Sequence, residues 1–234
     1  MIKYTNALIF GYNEYGLEIA NNLLNKYEKV TIFSLDDNND SDNNTHDFKI
    51  QKFDLSDNWD DLKSQFDMNR VIVFCALNDE AQNIFLTISL RSSFKDLYII
   101  ALANNNEDAN KIHMAGASKV IPLVETTAGI ITDMLEKPII TKVLHNILYE
   151  DSALKIEQIR VKNDKFFEGR YPADIEWSRD YGVVVLSIIH EDMSSEFIYS
   201  TKAKHHYIKK GDIFVAVGYA VDLKEFEKLL GNEK

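Results

Sequence analysis

The first half of the chain alternates two hydrophobic patterns, short continuous apolar runs and residues spaced three or four apart. Ala7-Leu8-Ile9-Phe10 is continuous and strand-sized, and Leu17, Ala20, Leu23, Leu24 and Tyr27 then recur at helical spacing. Lys29–Ser34 and Phe48–Phe53 read as the second and third strands. "RVIVFCAL" is the fourth, an uninterrupted run of the kind that a strand covered on both faces of a parallel sheet requires. "LYIIALA" and "KVIPL" supply the fifth and sixth. Helical patterns fill the intervals from Trp59 to Phe66, in "NDEAQNIFLTISLRSS" and in "NNEDANKIHMAG", where Gly116 is placed to terminate the helix. From Glu125 to Tyr149 a long helical pattern meets Pro138, which lacks an N–H and clashes with the preceding turn, so two helices are expected.

Beyond Glu150 the pattern changes. "LKIEQIRV", "YGVVVLSIIHE", "EFIYST" and "DIFVAVG" are strands with little helix between them, and "DLKEFEKLLG" closes the chain as a helix with Asp222 expected at its N-cap. This order predicts an α/β protein: a Rossmann-like parallel-sheet domain over residues 1–150, including the Pro-interrupted crossover helix, followed by a small α+β domain over 151–234. "LDDNNDSDNNTHD" has no apolar period and reads as a solvated loop.

Composition narrows the function. A net charge of -11 argues against nucleic acid and anionic membrane, which both demand a basic footprint. No apolar run nears the roughly 20 residues that cross a bilayer. Met1-Ile2-Lys3-Tyr4 leads straight into a strand without a secretory signal. Cys75 is the only cysteine and lies in an apolar strand, so no disulfide framework or thiolate metal cage is available. A cytoplasmic protein without direct membrane insertion is expected.

The candidate chemistry begins at Gly11-Tyr12-Asn13-Glu14-Tyr15-Gly16, between the first strand and first helix, where a G-x-G-x-x-G dinucleotide fingerprint would stand. Gly11 suits the tight turn and Gly16 the close packing of helix on strand, but the middle glycine is Asn13. Its side chain would crowd a pyrophosphate. Its tolerance of left-handed angles would preserve the turn, its amide could donate to a phosphate oxygen, and the helix N-terminus still offers backbone N–H groups. The acidic residue that would hold a ribose is expected about 20 residues past the first glycine. That position is Ser34, which can bond a hydroxyl without a charge-assisted pair, with Asp36 and Asp37 just beyond. Asp54-Leu55 follows the third strand, and Asp54 has an alternative role as a turn residue opening the next helix. Ala76-Leu77-Asn78 would line a crevice at the carboxyl end of the fourth strand. Glu125 opens the long helical pattern, where negative charge is stabilised.

Cation chemistry is weaker. Adjacent His205 and His206 on a strand would face opposite ways and not share a metal. Lys202, Lys204, Lys209 and Lys210 around them form a local basic patch. His46 with Asp47 offers a weak cation site or simply a solvated loop. "DDNNDSD" has carboxylates without an EF-hand's order. Glu191, Asp192 and Glu196 form either an interface cation site or a solvated turn. The sequence assigns no metal, and no Ser/His/Asp set or nucleophile elbow is present.

In order and spacing over nearly the whole chain, these pieces resemble the RCK (Trk-N plus Trk-C) regulatory proteins of potassium channels and Trk/Ktr-type transporters. The resemblance is carried by "FGYNEYGLEIANNL", by "CALNDEAQNI" with Asp79, Glu80 and Asn83, and by "IIALANNNEDANKIHMAGASKVIP" with Gly116-Ala117 and Pro122. In the second half it rests on "FFEGRYPADI" around Gly169 and on "YIKKGDIFVAVG" with Gly211-Asp212 and Gly218. It implies an RCK-N domain that dimerises, an octameric ring beneath the pore of a membrane potassium channel or transporter, and a small RCK-C domain. It further implies an adenine nucleotide, NAD/NADH or ATP/ADP, held by the Gly11–Gly16 segment, Ser34 or Asp36, Asp54 beside the base, Leu55 and Ala76 to Asn78. Glu125 lies close to a family glutamate that faces a neighbouring subunit's ligand. Such a protein gates and turns nothing over, whether free-standing or part of a channel. Two alternatives stand beside it: a small NAD(P)-dependent oxidoreductase, which requires a catalytic Tyr/Lys or His/Asp set, and an RCK fold with a degenerate, non-nucleotide pocket.

Overall fold

The computed structural model describes residues 4–35, 47–56, 59–149, 152–167, 169–190, 194–198 and 206–232. It divides into two compact units, Met1–Thr132 and Asp133–Lys234.

The first unit is a parallel six-stranded sheet. Its strands are β1 (Asn6–Phe10), β2 (Lys29–Ser34), β3 (Lys49–Lys52), β4 (Val71–Cys75), β5 (Tyr98–Ala103) and β6 (Lys119–Pro122), in the order β3-β2-β1-β4-β5-β6. That is the doubly wound dinucleotide-binding order, with the reversal at β1 and β4, whose residues Phe10 and Cys75 end the ladder side by side. The connections are α1 (Glu14–Leu23), α2 (Asp60–Gln65), α3 (Glu80–Ser93) and α4 (Asn106–Met114).

The apolar run at residues 7–10 is continuous because both faces of β1 are covered. Ala7 and Ile9 pack with Ala20 of α1, whereas Leu8 and Phe10 pack in the cluster that holds Leu62 of α2, Leu86 and Leu90 of α3 and Ile112 of α4. Gly116 ends α4 at φ 107°, as its place in the pattern predicted. Pro138 divides the long helical pattern into α5 (Leu123–Glu136) and α6 (Pro138–Tyr149). As the first residue of α6 it loses no helical donor, because the opening N–H groups of a helix are unpaired anyway.

The second unit carries an antiparallel sheet of β7 (Leu154–Arg160), β8 (Val183–Ile189), β9 (Ser195–Phe197) and β10 (Ile213–Tyr219), ordered β7-β10-β8-β9. Phe167, Trp177, Phe214 and Phe226 form its aromatic centre, and the Trp177 Nε1–H donates to the Pro172 carbonyl at 3.0 Å. Trp177 belongs to α7 (Trp177–Tyr181), a helix too short for hydrophobic period to reveal; Gly182 ends it at φ 68°. The final helix, α8 (Ala220–Leu229), starts earlier than expected. Its N-cap is Tyr219, because β10 runs straight into it. Asp222 sits in the first turn, where its charge still favours the helix dipole.

Candidate functional site

The crevice at the carboxyl ends of β1 and β4 is built from two glycines and one asparagine. Gly11 has φ 137°, and a Cβ there would lie 2.3 Å from the Ala76 carbonyl oxygen. A Cβ on Gly16 would lie 1.9 Å from the Gly11 carbonyl oxygen. Both glycines therefore keep the packing roles that the fingerprint gives them.

Asn13 does not stand in for the middle glycine by adopting its backbone. Its angles, φ −147° and ψ −178°, are ordinary extended values, so tolerance of left-handed geometry plays no part. The side chain instead becomes structural. Its Oδ1 accepts from Gly16 N–H at 2.9 Å and caps α1, while its Nδ2 donates to the Ala76 carbonyl at 2.6 Å and to Asn78 Oδ1 at 2.8 Å. The amide thus bridges the glycine turn to the end of β4. Glu14 adds a carboxylate in the first helical turn, which already satisfies the positive end of the helix dipole and opposes a second anion.

Other predicted residues separate into those that line the crevice and those that do not. Tyr15, Ala76, Leu77, Asn78, Leu102, Asn104 and Leu123 enclose a cavity of about 70 Å³. The α5 wall, Leu123, escaped prediction because it carries no chemical motif; its one signal is its place just past a strand's carboxyl end. Asn83 is buried and clamps the β4–α3 turn, accepting from Leu77 N–H at 2.9 Å and donating to the Leu77 carbonyl at 2.8 Å. Tyr12 leans on the α1 face of the sheet.

Ser34 is buried at the end of β2, its carbonyl accepting from Phe53 N–H at 3.0 Å. Asp36, Asp37 and His46 lie outside the described residues, as do Glu191, Asp192, Lys202, Lys204 and His205. Asp54 commits one oxygen, Oδ1, to its own turn, accepting from Ser56 Oγ at 2.7 Å and Ser56 N–H at 2.8 Å. Those bonds hold its carboxyl below the usual range. The two bonds are those of an aspartate that opens its own turn. Leu55 packs on the core. Glu125 accepts from Asn106 N–H at 3.0 Å, capping α4 from the first turn of α5.

Under the strand ends on the β2 side, Phe10 and Phe33 stack at 4.6 Å, with Phe53 edge-on to Phe10 at 4.9 Å and Trp59 at 5.7 Å. Trp59 holds a left-handed backbone, φ 62°, which is costly for a bulky residue, and its Nε1–H donates to Ser89 Oγ at 2.7 Å. Burial of the indole offsets that strain.

Strand order, glycine turn and crevice define a doubly wound domain of the dinucleotide-binding class. The TrkA-N domain model matches residues 7–123, and the chain belongs to that family. Its fold is similar to the human SLO3 gating ring, at 11% identity over 94% of this chain and 45% of that one, with a TM-score of 0.68. It is also similar to the NAD(P)-binding domain of an exopolyphosphatase-related protein from Archaeoglobus fulgidus, at 19% identity over 57% of this chain and 98% of that one, with a TM-score of 0.50. The GsuK RCK domain matches 97% of this chain and 47% of its own at 17% identity, with a TM-score of 0.48. This chain therefore spans about half the length of the GsuK and SLO3 structures it resembles. No curated protein matches it. Among the described residues, no helix is long and apolar enough to cross a membrane.

Proposed function

We propose that this chain is a ligand-sensing regulatory subunit or domain that gates a potassium channel or transporter through a dimer-based, octameric ring. The observation that carries the reading is the apolar surface of α5 and α6. Leu135 and Ile139 are each 78% exposed, and Ile131, Ile140, Val143 and Leu148 are exposed with them. Exposed large apolar side chains gathered on two successive helices mark an interaction surface, and the occupant in this reading is a second copy of the chain. TrkA-N membership and the RCK resemblance support a ring as the product of that pairing. In this reading residues 151–234 act as the RCK-C domain, and residues 1–150 with their crossover helix as RCK-N. Gating is a population shift: the ligand binds one ring geometry better than another.

The ligand in this reading is an adenine nucleotide in the crevice at Gly11–Gly16. Support comes from the retained glycine packing and from the position at the topological switch point. One observation favours the second reading, a repurposed pocket. Asn13 satisfies its own hydrogen bonds across the phosphate position, and the lined cavity is far below the several hundred Å³ typical of ligand sites. Thermal shift against ATP, ADP, NAD and NADH separates them. A rise with any one supports the nucleotide, whereas no rise with all four removes it. For assembly, light scattering is expected to give a dimer or larger, and Leu135→Asp with Ile139→Asp a monomer. A wild-type chain that is monomeric at high concentration overturns the ring.

A further inference from the structure

Four polar side chains meet at one end of the antiparallel sheet in the second unit. His190 follows β8, Glu196 lies in β9, His206 precedes β10 and Asp212 directly adjoins it. Asp212 is buried; its Oδ2 accepts from Lys209 N–H at 2.9 Å, and its Oδ1 stands 3.1 Å from His190 Nδ1. An ionised carboxylate only accepts, so in the neutral imidazole the Asp212 contact places the proton on Nδ1 and leaves Nε2 of His190 with its lone pair.

That lone pair is buried and has no hydrogen-bond partner, and the same is true of Glu196 Oε2, 3.5 Å away. His206 Nδ1 lies 3.4 Å from the same carboxylate oxygen. Two buried acceptors facing one another repel unless something positive lies between them. A proton serves poorly, since 3.5 Å is beyond the length of a charged hydrogen bond. A metal ion serves well. Ligands about 2.0–2.1 Å from a tetrahedral zinc stand about 3.4 Å apart, close to both distances found. One ligand atom from each of His190, Glu196 and His206 falls within 4.8 Å of the others, and His206, 60% exposed at its side chain, is free to close the remaining distance.

We propose that His190, Glu196 and His206 bind a divalent transition-metal ion, zinc foremost, with Asp212 as the positioning residue behind His190. Two imidazoles and one carboxylate are the donor set of such ions, whereas calcium and magnesium take oxygen ligands. A carboxylate on the far nitrogen of a ligating histidine, as Asp212 provides, fixes the tautomer and raises ligand basicity. Three protein ligands leave a fourth position open. Lys209 and Lys210 line the recess shared by His190 and His206, and their charge favours an anionic group there over a neutral one. The site lies wholly in the second unit and does not depend on the nucleotide crevice. The metal ties β8, β9 and the segment before β10 together.

The test uses the tag-free full chain, stripped with chelator and titrated with Zn²⁺ against a chromophoric competitor. One equivalent per chain is expected. Glu196→Gln and His206→Ala should each weaken binding at least about tenfold, and His113→Ala should leave it unchanged. His206 is exposed, so its loss spares the fold, and the variants' circular dichroism should match wild type. Cobalt loading should give the visible absorption of a tetrahedral ion. Less than one equivalent, undiminished binding in both ligand variants, or equal competition by Ca²⁺ or Mg²⁺ overturns the proposal.

Discussion

Asn13→Gly restores the middle glycine of the fingerprint and should move stability and nucleotide affinity in opposite directions. The substitution deletes the cap to Gly16 N–H and the bonds to Ala76 and Asn78. Replacing an asparagine cap by glycine costs only a few tenths of a kcal/mol. The two Nδ2 bonds contribute about 0.5–1 kcal/mol each, toward the low end because water reaches this region. The unliganded protein should therefore lose about 1–2 kcal/mol and melt about 2–8 °C lower. A pyrophosphate in the crevice must break those same bonds in wild type but not in the variant. Binding should tighten by the same 1–2 kcal/mol, about 5- to 30-fold. Calorimetric titration of both proteins with ADP and NAD, paired with thermal melts, reads both quantities. Asn13→Ala, which removes the bonds but keeps a Cβ, should lose stability and gain less affinity. A variant that melts lower yet binds no tighter than wild type refutes the claim that the asparagine occupies the phosphate position.

Further outcomes follow from other sites. Burial pushes the Cys75 thiol up to about 12, so the native protein should resist a thiol reagent at pH 8 and react fully in denaturant; rapid native labelling would contradict that burial. The Asp54 carboxyl, depressed by its Ser56 bonds, should titrate below the ordinary value of about 4. A depressed folded pKa means that the turn's contribution is complete above the unfolded value and fades as pH falls through the folded one. An NMR titration giving a normal or raised value would remove the turn assignment. Asp54→Ala should leave nucleotide affinity unchanged, and a weakened Kd would return this residue to the base. Gly16→Ala drives a Cβ into the Gly11 carbonyl and should cost more than about 2 kcal/mol in chemical denaturation; a cost under 0.5 kcal/mol would show that the turn relaxes freely.

Sequence alone determined the parts of this protein that depend on neighbours along the chain. Continuous apolar runs marked β1 and β4 because both faces are covered, Gly116 marked a left-handed helix end, and Pro138 marked the break between α5 and α6. Hydrophobic period and backbone preference are local quantities, so one sequence suffices to read them. The tertiary structure decided what depends on residues brought together from afar. Nothing near Asn13 in the sequence points to Ala76 or Asn78, and sheet order alone places both beside its amide. His206 seemed unable to bind metal with its neighbour in sequence, yet the β8–β9 ladder sets Glu196 close to His190 and the segment before β10 brings His206 to both. A polar side chain's role follows from which acceptors and charges it meets, and strand pairing chooses those partners without leaving a periodic trace in the chain.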